Sequence, residues 1–179
     1  MDTIILGLLI MKDRTIYEIR ERINKGLNMM YSSSMGSIQA AIKKLLENNY
    51  IEFEEIVENG KYKKVYSITT SGKEYFMQWV NTPMRASQNR DPELAKLFFM
   101  GFSEKAGRME RLAKYIEALR SAYQTMKFIY DEGKTFSTEE KYQDIANYQL
   151  LSTKYGVDAL KFHVDWYTQV LEDMKEGKI

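Results

Sequence analysis

The sequence contains no cysteine, a single histidine, only two prolines and no long apolar run. Without cysteine there can be neither disulfides nor thiolate metal sites, and the expected compartment is the cytoplasm. One histidine, His163, cannot build a multi-histidine metal centre and leaves little for a catalytic dyad. The apolar stretch at residues 4–11 falls well short of the ~20 residues that a membrane helix needs. It follows Met1-Asp2 rather than the basic segment of a secretory signal. Glycine-rich dinucleotide and phosphate loops and the G-x-S-x-G elbow are also missing, so neither catalysis nor a cofactor or metal is expected. Charge of one sign is missing as well: 26 basic residues face 25 acidic ones, for a net charge of +1. Any affinity for nucleic acid must therefore come from a local basic surface.

What is present is a globular composition, 44% hydrophobic and 28% charged over 179 residues. Pro83 and Pro92 bracket the polar stretch 84–91, which has no periodicity. It divides the chain into an N-terminal module of mixed structure (1–82), a linker (83–92) and a helical C-terminal region (93–179). The fold class is mainly α with a small β-ribbon.

In the N-terminal module, residues 3–11 read as a short buried helix, and 15–25 as a second with Ile16, Ile19 and Ile23 on one stripe. A third carries Met35, Ile38, Ile42 and Leu45 at helical spacing. Its opposite face presents Ser33, Ser37, Ala40 and Lys44, flanked by Gly36 and Lys43. Small hydroxyls, a glycine and two lysines allow close approach to a groove floor, and either Ser33 or Ser34 is placed to cap the helix. Residues 50–57 and 63–69 have strand character on either side of the Asn59-Gly60 turn signal. Lys61, Lys63 and Lys64 make the returning strand basic, whereas Glu52, Glu54, Glu55 and Glu58 crowd the first one. Ser71-x-x-Glu74 has capping-box spacing and opens a helix through Trp79. Alone, the ribbon would be an ordinary surface hairpin. After three helices in this order it reads as the wing of a winged helix-turn-helix, which points to DNA.

The C-terminal region begins with Asp91-Pro92 as N-cap and first-turn proline, followed by Leu94, Leu97, Phe98 and Phe102. Met109, Leu112, Ile116, Leu119, Tyr123, Met126 and Tyr130 then alternate spacings of 3 and 4, the seam of a coiled coil. Ser137-Thr138-Glu139-Glu140 is a second capping-box pattern, expected to start the last helix. That helix has two apolar faces. One holds Tyr148, Leu151, Tyr155, Ala159, Phe162, Trp166 and Val170, the other Val157, Leu160, Val164, Tyr167, Leu171 and Met174. A helix apolar on two sides must be covered from two directions, and a second copy of the chain is the economical cover. Phe98, Phe102 and Trp166 could line a pocket for a planar ligand, although aromatic residues at helical spacing are ordinarily core.

These residues together resemble the PadR family of bacterial transcriptional regulators. Ile5-Leu6-Gly7-Leu8-Leu9 matches the family's opening I-L-G-L-L, and Tyr17-Glu18-Ile19 its Y-E-I. Gly36-Ser37-Ile38 through Lys44-Leu45 matches its G-[ST]-I-Y-x-x-L-x-x-L core. Gly60-Lys61-x-x-Lys64-x-Tyr66-x-Ile68-Thr69-x-x-Gly72 matches its wing signature. Gln39 stands where the family usually has tyrosine, and Lys61 where the wing usually has arginine. The resemblance implies a homodimer on an inverted-repeat operator, repressing until a small molecule alters the dimer. Double-stranded DNA, a second copy and a small-molecule effector are then the partners, with no membrane. The expected DNA contacts are Tyr17, Ser33, Ser34, Ser37, Gln39, Lys43, Lys44, Lys61, Lys63 and Lys64. A rival reading makes the chain a protein-interaction module that docks a partner coiled coil through the 109–130 seam.

Overall fold

The computed structural model describes residues 1–26, 34–58, 61–84 and 92–179. The chain divides into two units, Met1–Ser87 and Gln88–Ile179. Ser33, Asn59, Gly60 and Asp91 lie outside the described residues, as does most of the stretch between the prolines.

The first unit runs α1 (Asp2–Met11), β1 (Arg14–Thr15), α2 (Ile16–Gly26), α3 (Met35–Glu47), β2 (Ile51–Glu58), β3 (Lys61–Ile68) and α4 (Thr70–Val80). The three strands form an antiparallel sheet in the order β1-β3-β2. Strands β2 and β3 pair from Ile51↔Ile68 to Glu58↔Lys61, and this ribbon is the wing. The pairing Arg14↔Tyr66 and Thr15↔Val65 adds a strand that sequence periodicity did not reveal, since two residues are too few to show alternation. Apolar stripes from α1, α2 and α3 close over the sheet. Ile5, Leu6, Ile19, Ile23, Ile38 and Leu45 are fully buried there, beside Ile42 and Ile51.

Local hydrogen bonds fix where the helices begin. Ser34 caps α3, its hydroxyl accepting from the Ser37 N–H at 3.2 Å. Thr15 and Glu18 form a reciprocal box at the start of α2: the Glu18 carboxylate accepts from the Thr15 N–H at 2.7 Å, and the Thr15 hydroxyl from the Glu18 N–H at 3.3 Å. The expected box at Ser71–Glu74 does not form. Thr69 is the cap, accepting from the Gly72 N–H at 3.1 Å, while the Ser71 hydroxyl donates to the Asn49 carbonyl at 2.8 Å. The carbonyl of Asn49, a residue held at a left-handed φ of 55°, draws the Ser71 side chain away from its own helix.

In the second unit, α5 (Pro92–Phe98) leads through a 3₁₀ turn at Met100–Phe102 to α6 (Arg108–Thr135) and α7 (Gln143–Lys175). These last two pack as an antiparallel pair, burying Leu112, Ile116 and Leu119 against Tyr167 and Leu171. Three of the seven residues of the coiled-coil seam are thus buried within the chain. The second capping box is also displaced. Residues Glu140–Tyr142 form a tight 3₁₀ turn, the Tyr142 N–H donating to the Glu139 carbonyl at 2.9 Å, and α7 starts at Gln143 without a side-chain cap. Among the described residues no helix is long and apolar enough to cross a membrane.

Candidate nucleic-acid interface

Three elements distant in sequence line one open groove of about 490 Å³. From the first turn of α2, held in place by the Thr15–Glu18 box, Tyr17 projects with 72% of its surface exposed. From α3 come Gln39 and Lys43, one turn apart on a single flank of the helix. From β3 come Tyr62, Lys63 and Lys64. The Lys64 ammonium lies 4.0 Å from the centroid of the Phe53 ring and 3.5 Å from Glu55 Oε1 on the neighbouring strand. A cation over an aromatic face, with one carboxylate beside it, is restrained in position yet keeps donors for a further anion.

The structure therefore brings together Tyr17, Gln39, Lys43, Lys63 and Lys64 from the sequence-derived set. It places Lys44 elsewhere. That side chain lies on the other flank of α3, where Nζ donates to Asp2 Oδ2 of α1 at 2.7 Å. The hydrogen bond and charge of Asp2 raise the Lys44 pKa above its ordinary value. The hydroxyls of Ser34 and Ser37 are engaged with each other and with the Ser34 carbonyl at the cap. Lys61 opens β3 opposite Glu58, and Ser33 lies outside the described residues. Sequence reasoning missed Tyr62, which is 82% exposed. Its signal was present, since Tyr62 stands two residues before Lys64 and so shares its face of the strand.

On α7 the two apolar faces have different fates. Tyr167 and Leu171 are buried against α6, and Val157 is buried as well. Tyr148, Leu151, Tyr155, Phe162 and Trp166 remain exposed, whereas Val170 is half-buried against the α6–α7 core. Phe98 and Phe102 are exposed too, linked through Phe99 at ring separations of 4.9 and 6.4 Å. Trp166 meets Tyr167 edge-on at 4.8 Å. Among the described residues, no group of three or more histidines and carboxylates is placed to hold a metal.

The profile of the transcriptional regulator PadR-like family matches residues 5–78, and that of the virulence activator alpha C-terminal region matches residues 89–175. The chain belongs to the PadR-like family of transcriptional regulators. A Mycobacterium tuberculosis protein named a probable transcriptional regulator is 23% identical over 173 residues, 90% of each chain. The fold is that of the Bacillus subtilis negative transcriptional regulator PadR. The crystal structure of that protein with operator DNA aligns at a TM-score of 0.83 and 21% identity, covering 96% of this chain and 95% of that one. Its complex with p-coumaric acid aligns at 0.75 and 19% identity, covering 97% and 98%. Its relatives are transcriptional regulators, which are not enzymes, and this chain is a DNA-binding transcriptional regulator of the PadR-like family. A module that only docks protein partners is not favoured.

Proposed function

We propose that this PadR-like chain is a homodimeric, non-catalytic repressor of the cytoplasm that binds an inverted-repeat operator through α3 and the wing. The convergence of Tyr17, Gln39, Lys43, Lys63 and Lys64 on one groove supports this most directly. A tyrosine hydroxyl and ammonium groups suit phosphate oxygens, while glutamine can pair bidentately with adenine. In this reading α3 enters the major groove with Ser37, Gln39, Lys43 and Lys44 towards the bases. Lys61, Lys63, Lys64 and Tyr17 contact the backbone, Ser34 sits where α3 meets it, and Ser33 is a further contact in this reading.

The exposed face of α7 (Tyr148, Leu151, Tyr155, Phe162 and Trp166, with Val170 at its margin) is the dimer seam. Two-fold symmetry then places half-sites about one turn, ~10 base pairs, apart. Residues 1–82 are the reading head, 93–179 the dimerisation and effector region, and 83–92 their connection. Phe98, Phe102 and Trp166 receive a planar aromatic effector. A coupling of ~1–3 kcal/mol between effector and DNA suffices for release. That PadR of Bacillus subtilis has been crystallised with p-coumaric acid supports looking for such a ligand.

Fluorescence-anisotropy titration tests the reading, using duplexes enriched by the protein from a random pool and unenriched duplexes at two salt concentrations. Tight, salt-sensitive preference for enriched inverted repeats is the expected result. Equally weak binding to every duplex would overturn it.

A further inference from the structure

Three lysines of the proposed DNA-contacting set each carry a carboxylate. Lys44 Nζ stands 2.7 Å from Asp2 Oδ2, Lys64 Nζ 3.5 Å from Glu55 Oε1, and Lys43 Nζ 3.8 Å from Glu47 Oε1. Asp2 and Glu55 come from α1 and β2, elements other than those of Lys44 and Lys64, whereas Lys43–Glu47 is an i,i+4 pair within α3. Both partners of the Lys43 and Lys64 pairs are largely exposed, and Lys44 is exposed although Asp2 is not. Surface pairs of this kind contribute little to folding. The net charge of +1 extends the same theme, since the basic surface has little long-range field behind it.

We propose that Asp2, Glu47 and Glu55 are specificity-determining residues. They neutralise the lysines towards distant or loosely held DNA and yield them to a duplex that docks closely. The inference rests on the DNA-binding reading above.

A lone ammonium attracts phosphate across a Debye length, about 8–10 Å at ordinary salt. An ammonium beside a carboxylate presents a dipole, whose field decays faster with distance. Non-specific complexes are held almost wholly by that field and by counterion release. A docked complex adds directed hydrogen bonds to phosphates and base edges, which the field does not supply. An ammonium has three donors, so in close docking it can keep its carboxylate and still reach a phosphate. The carboxylates thus weaken the loose complex more than the docked one and widen the ratio between them. Asp2, at full hydrogen-bond distance, should act most strongly, and Glu47 least.

The test uses the full chain as wild type, Asp2→Asn, Glu47→Gln, Glu55→Gln and the triple variant. Each is titrated by anisotropy with a labelled duplex selected from a random pool by the wild type, and with a scrambled duplex of the same composition, over a series of salt concentrations. Affinity for the scrambled duplex should rise ~2-fold per substitution and about eight-fold in the triple variant, on Coulombic grounds. Affinity for the selected duplex should rise less, and the salt dependence on scrambled DNA should steepen. Asp2→Glu should restore the wild-type ratio. Should the triple variant fold poorly by circular dichroism, Asp2→Asn alone carries the comparison. An unchanged or larger ratio overturns the proposal, as does equal weakening on both duplexes, which would mean that the carboxylates merely position the lysines. If the wild type itself selects no duplex, the DNA-binding reading falls first and takes the proposal with it. That result is distinct, because the wild type then prefers no duplex over another, whatever the variants do.

Discussion

Gly72 lies so close to Tyr50 that a Cβ on the glycine would sit 2.0 Å from the Tyr50 carbonyl oxygen. The contact joins the start of α4 to the entry of β2. It is reinforced by the Thr69 N–H, which donates to the same oxygen at 3.1 Å, and by the stacking of Tyr50 on Tyr75 at 4.7 Å. The obstructing atom is backbone, so no side-chain rotation relieves it.

Gly72→Ala should therefore destabilise the N-terminal unit by about 2 kcal/mol or more, the range for inserting atoms where only backbone can move. Gly36→Ala is the control. A Cβ there meets nothing within 4 Å, and replacing a helical glycine by alanine is neutral or stabilising by up to ~1 kcal/mol. Urea unfolding followed through Trp79 fluorescence, in a Trp166→Phe background, measures both. Equal stability of the two variants would contradict the geometry.

Glu18 supplies a pH-dependent contribution. Hydrogen bonds from the Thr15 N–H and hydroxyl hold its carboxyl below the ordinary value of 4.5. A depressed folded-state pKa adds stability that is present above 4.5 and is lost as pH falls through the lower folded value. The difference in urea midpoint between wild type and Glu18→Gln should accordingly be largest near neutrality and shrink as the pH falls from about 5 towards 3. A difference that stays constant across that range would show that the carboxylate charge plays no part in the cap.

Much of this was legible in the sequence, because long periodic stripes survive folding. Ile38, Ile42 and Leu45 of α3 are buried as their spacing requires, and so are Leu112, Ile116 and Leu119 of α6. Single hydrogen-bond choices were not legible. Ser71-x-x-Glu74 has the right spacing, yet Asn49 claims the serine hydroxyl; Thr15-x-x-Glu18 has the same spacing and does form. The strand at Arg14–Thr15 exists only because β3 lies beside it. At the candidate interface, residue types were readable but partners were not. Nothing local to Lys44 announces Asp2, which lies 42 positions away in the chain.

The two faces of α7 should separate folding from association. Leu171 is buried against α6, so Leu171→Ala should cost ~2–5 kcal/mol through the cavity it leaves. Phe162 stays 62% exposed, and Phe162→Lys should leave the α6–α7 pair folded while shifting the chain from dimer to monomer. Sedimentation velocity checks the second outcome and circular dichroism the first. A Phe162→Lys protein that remains fully dimeric at low micromolar concentration would move the proposed seam elsewhere.

Gln39 and Lys64 line the same groove, yet their loss should read out differently. Lys64, restrained by the Phe53 ring and Glu55, offers a point charge with no preference among bases. Lys64→Ala should weaken binding to every duplex to a similar degree and make the salt dependence shallower by about 0.9 in log–log slope, the share of one phosphate contact. Glutamine carries no charge, but its amide can both accept and donate to one adenine. Gln39→Ala should therefore leave the salt slope unchanged and lower discrimination at one position of each half-site by ~1–3 kcal/mol. Anisotropy titrations on a panel of single-base operator variants, repeated across a salt series, separate the two effects. If Gln39→Ala weakened all duplexes equally, Gln39 would be a packing residue of the groove wall, and base reading would have to come from the outward residues of α3.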